Sequence, residues 1–383
     1  MEPRKFVAPE FILGRGALDL AGQYAANLGG HKVLVVSDPG VVAAGWVDRV
    51  EKSLGRAGLE PVVFTEVTPD PKDTEVMAGA ALYEREACDM IVAVGGGSPM
   101  DCAKGVGVVV SNHIPILAAG GVDRIELPCP PLICIPTTAG SAADISQFAI
   151  ITDHVRKIKV AIISKIVVPD VALIDPLTTL SLSRVLTADS GMDALVHAVE
   201  AYVSTAKSPM TDLHAMEAIR LISRNLKGAI EEPGNLRFRD AMMLASLLAG
   251  LAFSNASLGL AHAMAHSLGG TLDLPHGECT SLLLEHVARF NFEAVPGRYL
   301  KIARTFGLEL SGLPYEEQKA RVVEMFREFR AGVGLFNGVK KNGLGPADFH
   351  NMARAALQDA CIVTNPVQPT EGEIVAIYER VFR

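Results

Sequence analysis

A chain of 383 residues is long enough for about two domains with substantial cores. With 49% hydrophobic and 20% charged residues it has the composition of an ordered globular protein, which excludes an intrinsically disordered one. A net charge of −8 leaves no basic stripe to displace counterions from a phosphate backbone, so nucleic acid is excluded as a partner.

The six cysteines (Cys88, Cys102, Cys129, Cys134, Cys279 and Cys361) form no CxxC pair and are too sparse for a disulfide framework. Reduced thiols and a cytoplasmic location are the expectation. The start, Met1-Glu2-Pro3-Arg4-Lys5, leads into no apolar segment of the secretory type. One run, Ala241–Leu260, has the length and apolar character of a membrane span. Asn255 and several serines interrupt it and His262 follows at once, so a buried core helix is expected and no membrane partner.

In chain order, Lys32–Ser37, Pro61–Phe64 and Met90–Val94 read as buried strands, with helical patterns at Val41–Gly58 and Thr74–Glu86 between them. Further apolar runs follow at Leu132–Ile135, Phe148–Ile151, Val160–Ile163 and Val171–Ile174. Near-continuous apolar strands separated by helices predict a mostly parallel sheet covered on both faces.

Gly95-Gly96-Gly97-Ser98-Pro99-Met100-Asp101 directly follows one of these strands. Three glycines permit a sharp turn and a close ligand approach. Ser98 is placed to cap a helix, Pro99 to occupy its first turn and Asp101 to complete a capping box. Strand, glycine turn and helix start together predict a cradle for a pyrophosphate. The spacing is not that of GxGxxG, whose acid follows the glycines by about 20 residues. Here the candidate acid is Asp38, at the end of the first strand. It is suited to a ribose diol and would repel a 2′-phosphate, favouring NAD over NADP. The competing reading makes Asp38 a turn former before Pro39-Gly40. A third loop, Thr137-Thr138-Ala139-Gly140-Ser141, again follows an apolar strand and offers hydroxyls to a nucleotide.

From about Ser183 strand patterns fade. Helices are expected at Ala188–Val203, Thr211–Leu226, Arg237–Ala252, Leu258–Leu268 after a bend at Ser254-Asn255, Gly277–Phe290, Gly297–Phe306, Pro314–Ala331, Pro346–Ala360 and Thr370–Val381. The fold class is therefore an α/β, Rossmann-like dinucleotide-binding domain over residues 1–184, followed by an all-α domain over 185–383. The cleft between two such domains is the usual place for a site.

The helical half carries the metal-ligand types. Asp193 and His197 lie four apart, as do His262 and His266, and His276 follows. Residues four apart share a helix face, so each pair can aim two ligands at one spot. A carboxylate with two or three imidazoles is the inventory of a divalent transition-metal site. Spacing alone does not choose among the histidines.

These motifs together resemble the iron-containing, or group III, alcohol dehydrogenases nearly end to end. The resemblance rests on Phe11–Leu18, Gly95–Asp101, Pro136–Gly140, Gly191–Tyr202, Gly259–His266 and Pro275–Glu278. It implies a dehydroquinate synthase-like architecture with Fe(II), alternatively Zn(II), bound by Asp193, His197, His262 and His276. It leaves His266 as a non-ligand near the substrate and a candidate proton relay. For NAD it implies Asp38, Asp70, Gly95, Gly96, Gly97, Ser98, Asp101, Thr137, Thr138, Lys159 and Leu177. Phe148, Phe253 and Cys361 fall where the family lines its substrate pocket, and at least a homodimer is implied. The chain departs from many members at Ser141-Ala142-Ala143-Asp144, where they carry Thr-Gly-Ser-Glu. The implied reaction is hydride transfer between a small primary alcohol and NAD, the metal acting on the alcohol oxygen. The rival readings are a polyol or glycerol-type dehydrogenase, a weakly catalytic regulatory relative, and a metallohydrolase, which would leave the glycine turn unexplained.

Overall fold

In this computed structural model, residues 4–335 and 344–382 are described. Met1–Pro3, part of the stretch read above for a signal segment, lies outside them. Backbone contacts divide the chain into two units, one spanning Phe6–Leu182 and the other made of the described residues before Phe6 and those from Ser183 onward.

The first unit contains β1 (Glu10–Leu13), β2 (Lys32–Val36), β3 (Glu60–Phe64), β4 (Met90–Gly95), β5 (Gly121–Val122), β6 (Leu132–Pro136), β7 (Phe148–Asp153), β8 (Ile158–Ile163) and β9 (Val171–Ile174). Its helices are α1 (Ala21–Asn27), α2 (Pro39–Ala43), α3 (Trp46–Arg56), α4 (Asp73–Arg85) and α5 (Gly97–Asn112). Six strands form a parallel sheet in the order β1-β9-β6-β4-β2-β3. Alternate residues of each strand feed two separate cores. Leu34, Val36, Ile91, Ala93 and Cys134 pack on one side, and Val33, Val35, Met90, Val92 and Ile135 on the other. Burial on both faces is why these strands read as unbroken apolar runs.

Two expectations are corrected here and one strand is added. Phe148–Ile151 and Val160–Ile163 do not join the parallel sheet; β7 and β8 pair antiparallel, with β5, in a separate three-stranded sheet. Only residues 154–157 connect β7 to β8, too few for the crossover that parallel pairing requires. The Val41–Gly58 helix is two helices, broken at Gly45, whose φ of 82° is left-handed. Phe11–Leu13, not read as a strand, lies in the edge strand β1.

The second unit is helical: α6 (Arg184–Val203), α7 (Pro209–Glu231), α8 (Leu236–Ala256), α9 (Leu260–Leu272), α10 (His276–Asn291), α11 (Pro296–Thr305), α12 (Tyr315–Gly332), α13 (Pro346–Gln358) and α14 (Glu371–Val381). The bend expected at Ser254-Asn255 falls slightly later. α8 runs on to Ala256, Ser257 takes a left-handed φ of 59°, and α9 leaves at 102°. The apolar run Ala241–Leu260 is thus divided, and its members Ala245, Leu247 and Leu251 are buried. Among the described residues no single helix is long and apolar enough to cross a membrane.

Candidate functional site

In the parallel sheet the strand order reverses between β2 and β4. Chain leaving the carboxyl ends of those two strands opens a crevice, the usual seat of a nucleotide in such sheets. Asp38 follows β2 there, Gly95 ends β4 and Gly96–Ser98 follow it; Thr137 and Thr138 come after β6, and Leu177 after β9. A side chain at any of these glycines would crowd the turn, most of all at Gly95, whose φ is also 155°. A Cβ on Gly95 would stand 2.6 Å from the Pro99 ring, and one on Gly96 3.2 Å from the Thr138 methyl. A Cβ on Gly97 would stand 3.2 Å from Ser141. The Thr137 N–H donates to the Gly95 carbonyl at 2.8 Å, tying the two loops together.

The capping roles read from the sequence are not those observed. α5 starts at Gly97 with Gly96 as its cap residue, and no side chain caps it. The Ser98 hydroxyl instead accepts the Asp70 N–H at 3.2 Å. Asp70, at a left-handed φ of 55°, forms an ion pair with Lys159 at 2.7 Å, so these three residues gather beside the glycine turn. Asp101, close enough to Asp70 and Lys159 to feel their charges, accepts the Ile150 N–H at 3.2 Å. Burial pushes its carboxyl up to about 6 despite nearby Lys104. Asp38 caps α2 by accepting the Val41 N–H at 2.9 Å, the turn-forming role weighed above. Leu177 donates its N–H to Asp175 at 3.0 Å. In the divergent loop Asp144 is buried, and burial pushes its carboxyl up to about 6. Phe148 opens β7, where its carbonyl accepts from the buried Lys104 ammonium at 2.7 Å.

The second cluster belongs to the helical unit. α6 supplies Asp193 and His197, α9 supplies His262 and His266, and His276 opens α10. Asp193, His262 and His276 bring one ligand atom each within 4.8 Å of one another. Asp193 Oδ1 lies 3.7 Å from the Nε2 atoms of both His262 and His276, and its Oδ2 3.8 Å from His197 Nδ1. These gaps are too long for hydrogen bonds and suit ligands sharing one ion, since two ligands each about 2.0–2.2 Å from a metal stand slightly over 3 Å apart. His262 Nε2 is fully buried without a hydrogen-bond partner. That is costly for a polar atom unless something else satisfies it. His197 is the outlying member. Its ring is stacked on His262 at 4.5 Å and on Phe253 at 4.3 Å.

Burial alone would raise the Asp193 carboxyl, but His197, His276 and His262 hold it far below the carboxylate range. Thr280 donates to Asp193 Oδ1 at 3.1 Å. Burial opposes charging His262, yet the carboxylates of Asp193 and Glu200 lift it to about 9.

His266 belongs to a different set. Its Nδ1 lies 2.7 Å from Asp359 Oδ2, and Asp359 Oδ1 accepts the Cys361 N–H at 2.8 Å. The Cys361 thiol, fully buried, is pushed well up. The His266 ring stacks on His276 at 5.3 Å, so the two groups are neighbours. Sequence reasoning singled out neither Glu200, 2.7 Å from His262 Nδ1, nor Asp359. An acid inside the apolar run of α6 marked the first; nothing local marked the second, 93 residues from its partner.

A model described as iron-containing alcohol dehydrogenase matches residues 8–176, and one for the C-terminal region of the Fe-containing alcohol dehydrogenase family matches 187–382. The chain belongs to the iron-containing alcohol dehydrogenase family. The 1,3-propanediol dehydrogenase of Klebsiella pneumoniae is 42% identical over 97% of this chain and 96% of its own. The NAD-dependent methanol dehydrogenase of Bacillus methanolicus is 36% identical over 97% and 98%. A crystal structure of 1,3-propanediol oxidoreductase superposes with a TM-score of 0.95 at 40% identity, covering all of both chains. Like these relatives, this family member is an oxidoreductase acting on CH–OH groups of small alcohols. Membership removes the metallohydrolase reading.

Proposed function

We propose that this alcohol dehydrogenase interconverts a small primary alcohol and its aldehyde with NAD as hydride carrier and Fe(II), alternatively Zn(II), at Asp193, His197, His262 and His276. The observation that carries the reading is the buried Asp193 carboxylate, with imidazole nitrogens of three histidines 3.7–3.8 Å away. When bound, such an ion supplies Lewis acidity toward the alcohol oxygen, and NAD supplies the hydride acceptor.

The chain's own residues do the rest. The glycine turn and the start of α5 cradle the pyrophosphate, Thr137, Thr138, Asp70, Lys159 and Leu177 line the nucleotide's path, and the Asp38 carboxylate disfavours a 2′-phosphate. Asp359 holds His266 Nδ1–H, so Nε2 of that ring is the atom that passes the alcohol proton outward. Phe253, stacked on His197, and the buried Cys361 give the helical unit's side of the substrate site an apolar lining. On this reading residues 1–184 form the NAD domain and 185–383 the metal and substrate domain. The polyol-type variant is favoured by the 42% identity to a 1,3-propanediol dehydrogenase, which makes a short diol the first substrate to test.

We further propose a cytoplasmic homodimer, supported by six free thiols and by Phe11 and Leu13, 40% and 39% exposed on the edge strand β1. Light scattering in solution tests it: a particle of 40.6 kDa would sink the dimer.

The deciding experiment is anaerobic purification with metal analysis, followed by NADH absorbance with 1,3-propanediol, methanol and longer alcohols. His262→Ala should lose both metal and activity. His266→Ala should keep the metal and lose about 100-fold in turnover. Full metal occupancy in His262→Ala would overturn the ligand assignment.

A further inference from the structure

Beside the cluster, Glu200 is an acid buried to 3% exposure in α6, and among the described residues no lysine or arginine pairs with it. Its carboxylate is filled by N–H donors alone. Oε2 accepts from the Gly259 N–H at 3.0 Å and lies 2.7 Å from His262 Nδ1, while Oε1 accepts from the Ala261 N–H at 2.6 Å. The intervening Leu260 N–H goes to Asn365 Oδ1 at 3.1 Å. Asn365 in turn exchanges two side-chain hydrogen bonds, 2.9 and 2.8 Å, with Asn291 at the end of α10. Three consecutive N–H groups that open α9 are therefore held by two side chains. A Cβ on Gly259 would come within 2.9 Å of both Asn365 Oδ1 and Glu200 Oε1, so any larger residue presses on the two side chains that hold the helix start.

Both Glu200 oxygens act as acceptors of backbone N–H groups, so the 2.7 Å contact places the shared proton on His262 Nδ1. The other nitrogen, Nε2, is then the one that faces Asp193 Oδ1 across 3.7 Å and is available to an ion. We propose that Glu200 is a positioning residue for the metal: it fixes His262 in the tautomer that presents Nε2, anchored on the backbone N–H groups that begin α9. Asn365 and Asn291 brace the same helix start against α10, which carries His276 at its other end. The inference rests on the reading of His262 as a ligand. It adds that the ligand is held by a carboxylate shared with its own helix terminus, so ligand geometry and the α8–α9 bend are set by one side chain.

Glu200→Gln tests this, because glutamine has one oxygen for three N–H donors. Either orientation of its amide aims an NH2 at a backbone N–H, and one of them also drives the His262 proton to Nε2. Metal-free parent and variant are titrated with Zn(II) against a chelator and checked for fold by circular dichroism. Loss of about 10- to 100-fold in Zn(II) affinity in a folded variant is expected. A folded variant binding within twofold of the parent would overturn the role of Glu200. His262→Ala, titrated in parallel, separates the two claims. If it keeps its affinity, the ligand reading itself fails; if it loses metal while Glu200→Gln does not, only the positioning role fails. Should Glu200→Gln not fold, the parent decides. In Zn(II)-loaded protein with 15N-labelled histidine, His262 should show a protonated Nδ1 and a metal-bound Nε2, and metal at Nδ1 would refute the proposal.

Discussion

At the scale of single residues, the proposed ligand His262 would link metal loading to pH. Burial would lower its pKa, but Asp193 and Glu200 raise it to about 9, above its ordinary 6.5. Without metal, the ring therefore carries a proton on each nitrogen below pH 9, and the ion must displace the one on Nε2. The sign follows: affinity falls as pH falls, by about tenfold per pH unit between roughly 6 and 8.5, and levels off above 9. Titration calorimetry of the metal-free protein in buffers of different ionisation enthalpy should give about one proton released per ion at pH 7. A pH-independent affinity across that window would show that His262 is not displaced. Asp193 adds no slope in this range, since its neighbours keep it ionised far below pH 6.

At the scale of elements, periodicity reached as far as one helix and no further. The four-residue spacing placed Asp193 with His197 and His262 with His266 on shared faces, and α6 and α9 form over those residues. The choice between His262 and His266 depends on partners in other helices. His262 turns to Glu200 and Asp193, while His266 turns to Asp359 beyond α13. The same limit explains the sheet. Each apolar run became a strand, but β7 and β8 left the parallel sheet because pairing depends on loop length and neighbours, which residue type does not carry. Asp38 shows the limit at one residue: a cap for α2 and a ribose contact call for the same carboxylate.

The α8–α9 bend gives a prediction at this scale. Gly259 has an extended backbone, so Gly259→Ala meets no conformational penalty of its own; the added methyl instead presses on Glu200 and Asn365 at 2.9 Å. Overpacking of this kind costs about 1–3 kcal/mol. Denaturant unfolding should show that loss together with weakened Zn(II) binding, because the displaced groups are those that hold His262. Unchanged stability and binding would mean that the helix start tolerates a shift without moving its ligand.

At the scale of the whole molecule, the two proposed ligand sites draw on separate units. The nucleotide residues Asp38, Asp70, Gly95–Ser98, Asp101, Thr137, Thr138, Lys159 and Leu177 all fall within Phe6–Leu182, whereas Asp193, His197, His262 and His276 follow Ser183. A ligand stabilises what it binds by mass action, about 4 kcal/mol at a thousandfold excess over Kd. An ion at the proposed ligands would join α6, α9 and α10, so removing it should loosen those helices first. Hydrogen exchange with and without Zn(II) should therefore show protection concentrated in residues 184–203, 260–272 and 276–291. Adding NAD to the metal-free protein should instead protect the segments after β2, β4 and β6. Protection by Zn(II) confined to residues 6–182 would contradict the assignment of the ion to the helical unit. Protection by NAD confined to residues beyond 183 would do the same for the glycine turn.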